Sequence, residues 1–211
     1  MSSLRTAAAL LAGAKSFREL APFLPALGFA ESLPLDLGDR RAIGLDRSIR
    51  RAAVANGSGT LRALLLEAAT DAPARETITR VASRVTAHAP HLLWLLVMVQ
   101  PASESLVIAA PASAGRKQVS ALLTTIAGIA PSDAETLAAM CDAAAGADVL
   151  VHHRWRELLG REALTRRFYR ELENVVDKLA ISAAGRVAGT ARRELALLCS
   201  SRILFLAFLE A

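Results

Sequence analysis

The spacing of apolar and polar residues changes period several times along the chain, and each change predicts an element. Residues 4–28 read as a helix with Phe17, Leu20, Phe23, Leu24 and Leu27 on its apolar side, and Pro22 and Pro25 break its end. A polar loop is expected over residues 34–46. Residues 49–55 and 60–67 then flank Asn56-Gly-Ser-Gly59, and because Asn and Gly tolerate positive φ this pattern predicts a β-hairpin. Residues 74–89 form an amphipathic helix carrying Ile78, Val81 and Val85.

Residues 92–99 are an unbroken apolar run, as expected of a strand covered on both faces. Residues 105–110 and 117–126 read as an antiparallel pair. Ser132 and Glu135 have the spacing of a capping box, which predicts a helix running to about residue 144. Three more helices are expected over 148–159, 161–181 and 189–210. The fold class is α+β: a hairpin-rich mixed sheet with a crossover helix and flanking helices over residues 1–145, then a helical arm over 146–211.

The last helix is apolar to its end. Leu195, Leu198, Arg202, Phe205 and Leu209 share one face, and Cys199, Ile203 and Leu206 widen the arc. An arc this broad must be buried against something. Arg202 near its centre and the short length argue against a membrane span. With neither a cap nor a polar tail after Leu209, the chain reads as cut. Two outcomes satisfy the burial: folding back on residues 161–181, whose Leu164, Phe168, Leu172 and Val175 form a matching stripe, or self-association. The fold-back is preferred, because residues 182–189 give a short connection, and it leaves a residual apolar patch.

Gly160-Arg-Glu-Ala-Leu-Thr-Arg-Arg-Phe-Tyr-Arg-Glu-Leu-Glu173, Arg192-Arg-Glu-Leu-Ala-Leu-Leu198 and Ser201-Arg-Ile-Leu-Phe-Leu-Ala-Phe-Leu-Glu210 together resemble the segment upstream of the catalytic domain in type IIG restriction–modification adenine methyltransferases. The family pattern continues into Lys-Gly-Trp, where this sequence stops. The resemblance implies a parent protein that methylates adenine with S-adenosylmethionine, Mg²⁺ as a further cofactor of the parent family, and a C-terminal methyltransferase domain as partner. The family's Asn-Pro-Pro-Tyr and glycine motifs do not occur in this chain, so no catalytic residue carries over and the chain alone is expected to be inactive.

Composition adds to this picture in three ways. Hydrophobic content of 53% with only 4% aromatic residues means a core of Ala, Leu, Val and Ile. The first fifteen residues superficially resemble a signal peptide, but the apolar run is brief and Lys15-Ser-Phe-Arg-Glu-Leu20 continues the pattern, so a first helix is preferred. Cys141 and Cys199 have no paired spacing, which suggests buried free thiols and a reducing cytoplasm. A net charge of +5, with 22 Arg among the 25 basic residues, favours a phosphate-bearing partner; genome base composition also produces an Arg bias.

The order of elements invites comparison with the restriction-endonuclease-like fold, whose chemistry needs an acid and then an acid-x-Lys pair to hold Mg²⁺ and position water. Glu67 and Asp71 stand near the right place, but no Lys follows two residues after an acid in the sheet region, so the site is read as degenerate. Asp36, Asp39 and Asp46 belong to the polar loop. His88 and His91 straddle Pro90, and with His152 and His153 they read as solvated or capping imidazoles, since nothing completes a metal set. Ser200 and Ser201 are packing residues without a base, and Gly57 and Gly59 are turn glycines.

In the arm, Arg154, Arg156, Arg161, Arg166, Arg170, Arg192 and Arg193 allow two readings. They form a solvated, self-paired face, supported by Glu162 to Arg166 and Arg167 to Glu171 spacings, or they border a channel for the DNA backbone. The interface residues would be Leu198, Arg202, Phe205, Phe208 and Leu209. The expectation is thus a non-catalytic scaffold and DNA-contact region of a phage-defence methyltransferase, cytoplasmic, with no cofactor of its own and no membrane partner. The alternative is a stand-alone interaction module that docks through its last helix.

Overall fold

The structure, a computed structural model, describes residues 2–69, 72–112, 119–182 and 189–209; the side chains of Ser2, 161–167, 169–170 and 207–209 lie outside the described set. The chain divides into two compact units, Met1–Ala163 and Leu164–Ala211.

The first unit is built on one six-stranded mixed sheet whose strands lie in chain order: β1 (Ser32–Pro34), β2 (Ile49–Asn56), β3 (Leu61–Ala68), β4 (Leu93–Gln100), β5 (Ser105–Pro111) and β6 (Val119–Thr125). Neighbours are antiparallel except β3 and β4, which run parallel because α4 (Ala74–His88) carries the chain back between them. The expected hairpin, crossover helix and central strands are all present. The unbroken apolar run of β4 has the expected cause, since both faces are covered. Leu95, Val97 and Val99 join one core cluster, and Trp94, Leu96 and Met98 join the other.

On one face, Ile78, Val81, Ala82 and Val85 of α4 lie at helical spacing against Leu64, Leu66, Leu96 and Met98. The opposite core holds α1 (Ser2–Gly13), α2 (Phe23–Ala26), α5 (Pro131–Asp142) and the first turns of α6 (Asp148–Ser182). Trp155 of α6 is fully buried there; its indole N–H donates to the Met140 carbonyl at 2.8 Å and its ring lies 5.9 Å from that of Phe29. Val151, Leu158 and Leu159 join the same cluster, so the first unit runs past residue 145 and takes in the start of the arm.

Several local expectations are corrected. The helix expected over 4–28 stops at Gly13, since Ser16 is extended (φ −145°) and starts a short 3-10 turn at Phe17–Leu20; Leu20, Phe23, Leu24 and Leu27 then reach the core from short turns. The expected loop at 34–46 contains α3 (Leu37–Ala42), because the Asp36 carboxylate accepts the Asp39 N–H at 2.7 Å and caps it. Ser132 and Glu135 make no capping box. Pro131 occupies the first turn and presets its φ, so α5 starts before the serine can act as N-cap.

Gly160 does not interrupt α6, which is one helix where two were expected. Cys199 is exposed and Cys141 half-buried, which corrects the expectation of two buried thiols; burial, then the Asp142 charge, raises the Cys141 thiol pKa.

In the second unit, α7 (Gly189–Leu209) lies against the end of α6 in the expected fold-back. Arg193 bridges Glu173 at 3.1 Å and Asp177 at 3.2 Å, and Leu197 shares a groove of about 590 Å³ with Leu172 and Val176. The apolar stripe chosen from sequence is only partly right. Phe168, Val175 and Leu179 are exposed, whereas Val176, Ala196 and Ser200 are buried. The buried position on α6 in this unit is Val176, next to the predicted Val175, and it is matched by the small Ala196 and Ser200 on α7. Leu195, Leu198, Ile203, Phe205 and Leu206 remain exposed on α7. Among the described residues, no helix is long and apolar enough to cross a membrane.

Candidate functional site

A chemically distinctive cluster lies where β2 begins and β3 ends. In β2, Ile49 is paired with Ala68 and Arg51 with Glu67, so Arg50 is an extra residue with no partner on β3. This is a β-bulge, and its effect is visible in the core: Ile49 and Ala52, three residues apart, both pack toward α4. In a regular strand Arg50 and Arg51 would point to opposite faces. Across the bulge both approach the same carboxylate, Arg50 Nη1 at 3.6 Å and Arg51 Nε at 3.9 Å from Glu67. The Glu67 side chain is only 8% exposed, while those of Arg50 and Arg51 are 65% and 55% exposed.

Neighbouring residues fix this corner. The Arg40 guanidinium donates to the Arg50 carbonyl at 3.2 Å and to the Ile49 carbonyl, occupying bulge acceptors for which the three-residue β1 supplies no register partner. Asp46, just before β2, is held at 3.0 Å by Arg84 and at 3.6 Å by Arg80, both from α4. The hydroxyl and N–H of Ser48 also donate to it; with Arg84 and Arg80 they outweigh partial burial and lower its pKa to about 2. Arg47, between them, is exposed and makes no ion pair among the described residues.

This donor set does not suit a divalent cation. A nuclease-type Mg²⁺ site needs converging carboxylates and an unopposed negative field, but Glu67 faces two guanidiniums where β2 would have to supply a second acid. Asp46 is engaged by α4. Asp71, the other acid singled out by sequence, lies outside the described residues. For S-adenosylmethionine, the cofactor-binding glycine motif of the family it resembles does not occur in the sequence.

A second constellation is structural. The Asp148 carboxylate, at the start of α6, accepts from Ser58 Oγ at 2.5 Å, Thr60 N–H at 2.6 Å and Leu61 N–H at 3.2 Å, which together lower its pKa. Gly59 has φ +50°, and a Cβ there would meet the Asp148 carboxylate at 2.6 Å. Gly59 is thus a turn glycine as expected, and also the point of closest approach of a helix.

His152 was expected to be solvated or capping and is neither. It is 3% exposed, and its Nε2–H donates to the Trp94 carbonyl at 3.2 Å. Burial drives its pKa down to about 4; the Trp94 hydrogen bond opposes this and the charges of Arg156 and His153 add to it. His153, His88 and His91 are exposed. Ser200 is buried beside Ala196 on α7, and the Ser201 hydroxyl donates to the Leu198 carbonyl at 2.9 Å.

The arm arginines have varied surroundings. Arg154 pairs with Glu157 at 2.9 Å, Arg156 is half-buried, and Arg193 is held by Glu173 and Asp177. Arg192 also has a partner. The side chains of Arg161, Arg166 and Arg170 lie outside the described set, as do those of Phe208 and Leu209. Leu198, Arg202 and Phe205 are exposed on α7, where Ser201, Arg202, Phe205 and Leu206 line an open groove.

The Arg50–Arg51–Glu67 cluster was not assembled from the sequence, although Ile49-Arg-Arg-Ala52 carried a signal. Two charged residues between two inward apolar ones break the two-residue period of a strand. No protein-family model, curated protein or solved structure matches the chain.

Proposed function

We propose that the chain is a non-catalytic scaffold and DNA-contact region of a cytoplasmic restriction–modification methyltransferase. The observation that carries this reading is Glu67: a carboxylate at the end of β3, in a sheet of chain-ordered strands with one parallel step, faced by Arg50 and Arg51 instead of by a second acid and a lysine. Such a sheet supports a comparison with a nuclease scaffold whose site, with two guanidiniums on one carboxylate, suits an anion rather than a metal. This step rests on fold analogy. The resemblance of residues 160–210 to the region preceding an adenine methyltransferase domain supports the same assignment. In that setting S-adenosylmethionine and Mg²⁺ belong to other parts of the parent protein, and the C-terminal methyltransferase domain is the partner.

The isolated chain is expected to bind duplex DNA weakly at low salt and without sequence preference. It should neither cleave plasmid DNA with Mg²⁺ nor transfer a labelled methyl group. Cleavage that disappears in Glu67→Ala, or absence of any DNA binding at low salt, overturns the reading.

A second reading, a stand-alone module docking through α7, is favoured by the exposed Leu195, Leu198, Ile203, Phe205 and Leu206. It predicts that DNA binding is absent while Phe205→Glu abolishes association with a partner chain.

A further inference from the structure

We infer that Arg50 and Arg51, set by the β2 bulge and held by Glu67, form a phosphodiester-binding clamp, so that the DNA contact of the first unit lies at the sheet corner rather than on Arg154. The inference deepens the proposed DNA-contact role and rests on it. Three features of the corner support it. First, the bulge brings consecutive guanidiniums to one point, an arrangement that regular strand alternation forbids. Second, the buried Glu67 carboxylate offsets only one of the two positive charges, so it orients both forks and leaves a net positive corner. Third, the arginines are more than half exposed, and Arg47 extends the positive run by three residues toward the N-terminus.

The openness of the corner identifies the class of ligand. A small anion would need enclosure to repay its desolvation, whereas a polymeric phosphate gains from counterion release at an open surface. Arginine's planar fork matches two phosphate oxygens, and this composition is almost entirely Arg among its basic residues. Arg154, by contrast, faces Glu157 one to one, so that pair carries no net positive charge.

The test is fluorescence anisotropy of a labelled 20-base-pair duplex against the full chain over a series of salt concentrations. Removing the arginines alone would strand a buried carboxylate, so the informative variant is Arg50→Ala/Arg51→Ala/Glu67→Gln. It should reduce the slope of log K against log salt by about 0.9, because it removes two positive charges and one negative and so one net phosphate neutralisation. Arg50→Lys/Arg51→Lys, which keeps the charges, should keep the slope. Arg5→Ala, exposed on α1 and away from the corner in the sequence, serves as control. If the triple variant keeps the wild-type slope, or loses no more than the control, the clamp is refuted while the DNA-contact reading stands. If the wild-type chain binds no duplex at low salt, both fall. Displacement of the duplex by poly-glutamate at equal charge concentration would overturn the assignment to phosphate.

Discussion

Acidification should destabilise the first unit through one residue, His152. Its ring is 3% exposed and burial holds its pKa near 4, against 6.5 for an unperturbed imidazole. The folded state therefore favours the neutral ring, and the unfolded chain takes up the proton first as pH falls. Stability is complete above about pH 6.5 and declines toward pH 4. At about 1.4 kcal/mol per pH unit, the loss between pH 7.5 and pH 4.5 is about 2–3 kcal/mol. Asp46 and Asp148, whose pKa values are lowered from 3.8, contribute stability that is lost only below this window. Urea unfolding followed by tryptophan fluorescence isolates the effect, because the chain's two tryptophans, Trp94 and Trp155, both lie buried in the first unit. His152→Gln keeps an N–H within reach of the Trp94 carbonyl and removes the titration. Its stability should change little from pH 7.5 to 4.5, while the wild type follows the predicted decline. Parallel curves for the two proteins would refute the argument, as would a flat wild-type curve.

Two substitutions check the packing by thermal unfolding. Gly59→Ala puts a Cβ 2.6 Å from the Asp148 carboxylate at a residue with φ +50°, so it should destabilise by about 1–3 kcal/mol; the loss should be smaller in an Asp148→Ala background, and strict additivity would show that no clash exists. Gly160→Ala should stabilise by about 0.5–1 kcal/mol, because a Cβ at 3.5 Å from Ser120 Oγ is in ordinary contact and alanine favours the helix; destabilisation would show that the helix needs glycine there.

The sequence carried the sheet better than its corner. The β2–β3 hairpin was legible because Asn56-Gly-Ser-Gly59 admits few other conformations, and β4 because eight consecutive apolar residues need cover on both faces. Asp36 and Asp39 held a readable cap for α3, which the polar composition of that segment masked. The Gly160 break failed because one glycine costs a helix about 1 kcal/mol, less than the surrounding burial of Trp155, Leu158 and Leu159 returns. What sequence could not supply were the distant pairings. His152 meets Trp94 across 58 residues, and Glu67 meets Arg50 and Arg51 only because a bulge resets the register. Periodicity records which residues face inward; it does not record which of them meet.

Asp148 also bears on how the first unit opens. Its carboxylate ties the turn at Ser58–Leu61 to the start of α6 across about 90 residues of chain. A surface turn ordinarily fluctuates independently of the rest of a domain. Here the amides of Thr60 and Leu61 stay bonded to Asp148 only while α6 is seated, and seating α6 also places Trp155 in the core. Fraying of the hairpin tip and departure of the helix are thereby joined into one cooperative event, which gives a glycine-containing loop the lifetime of the core beneath it.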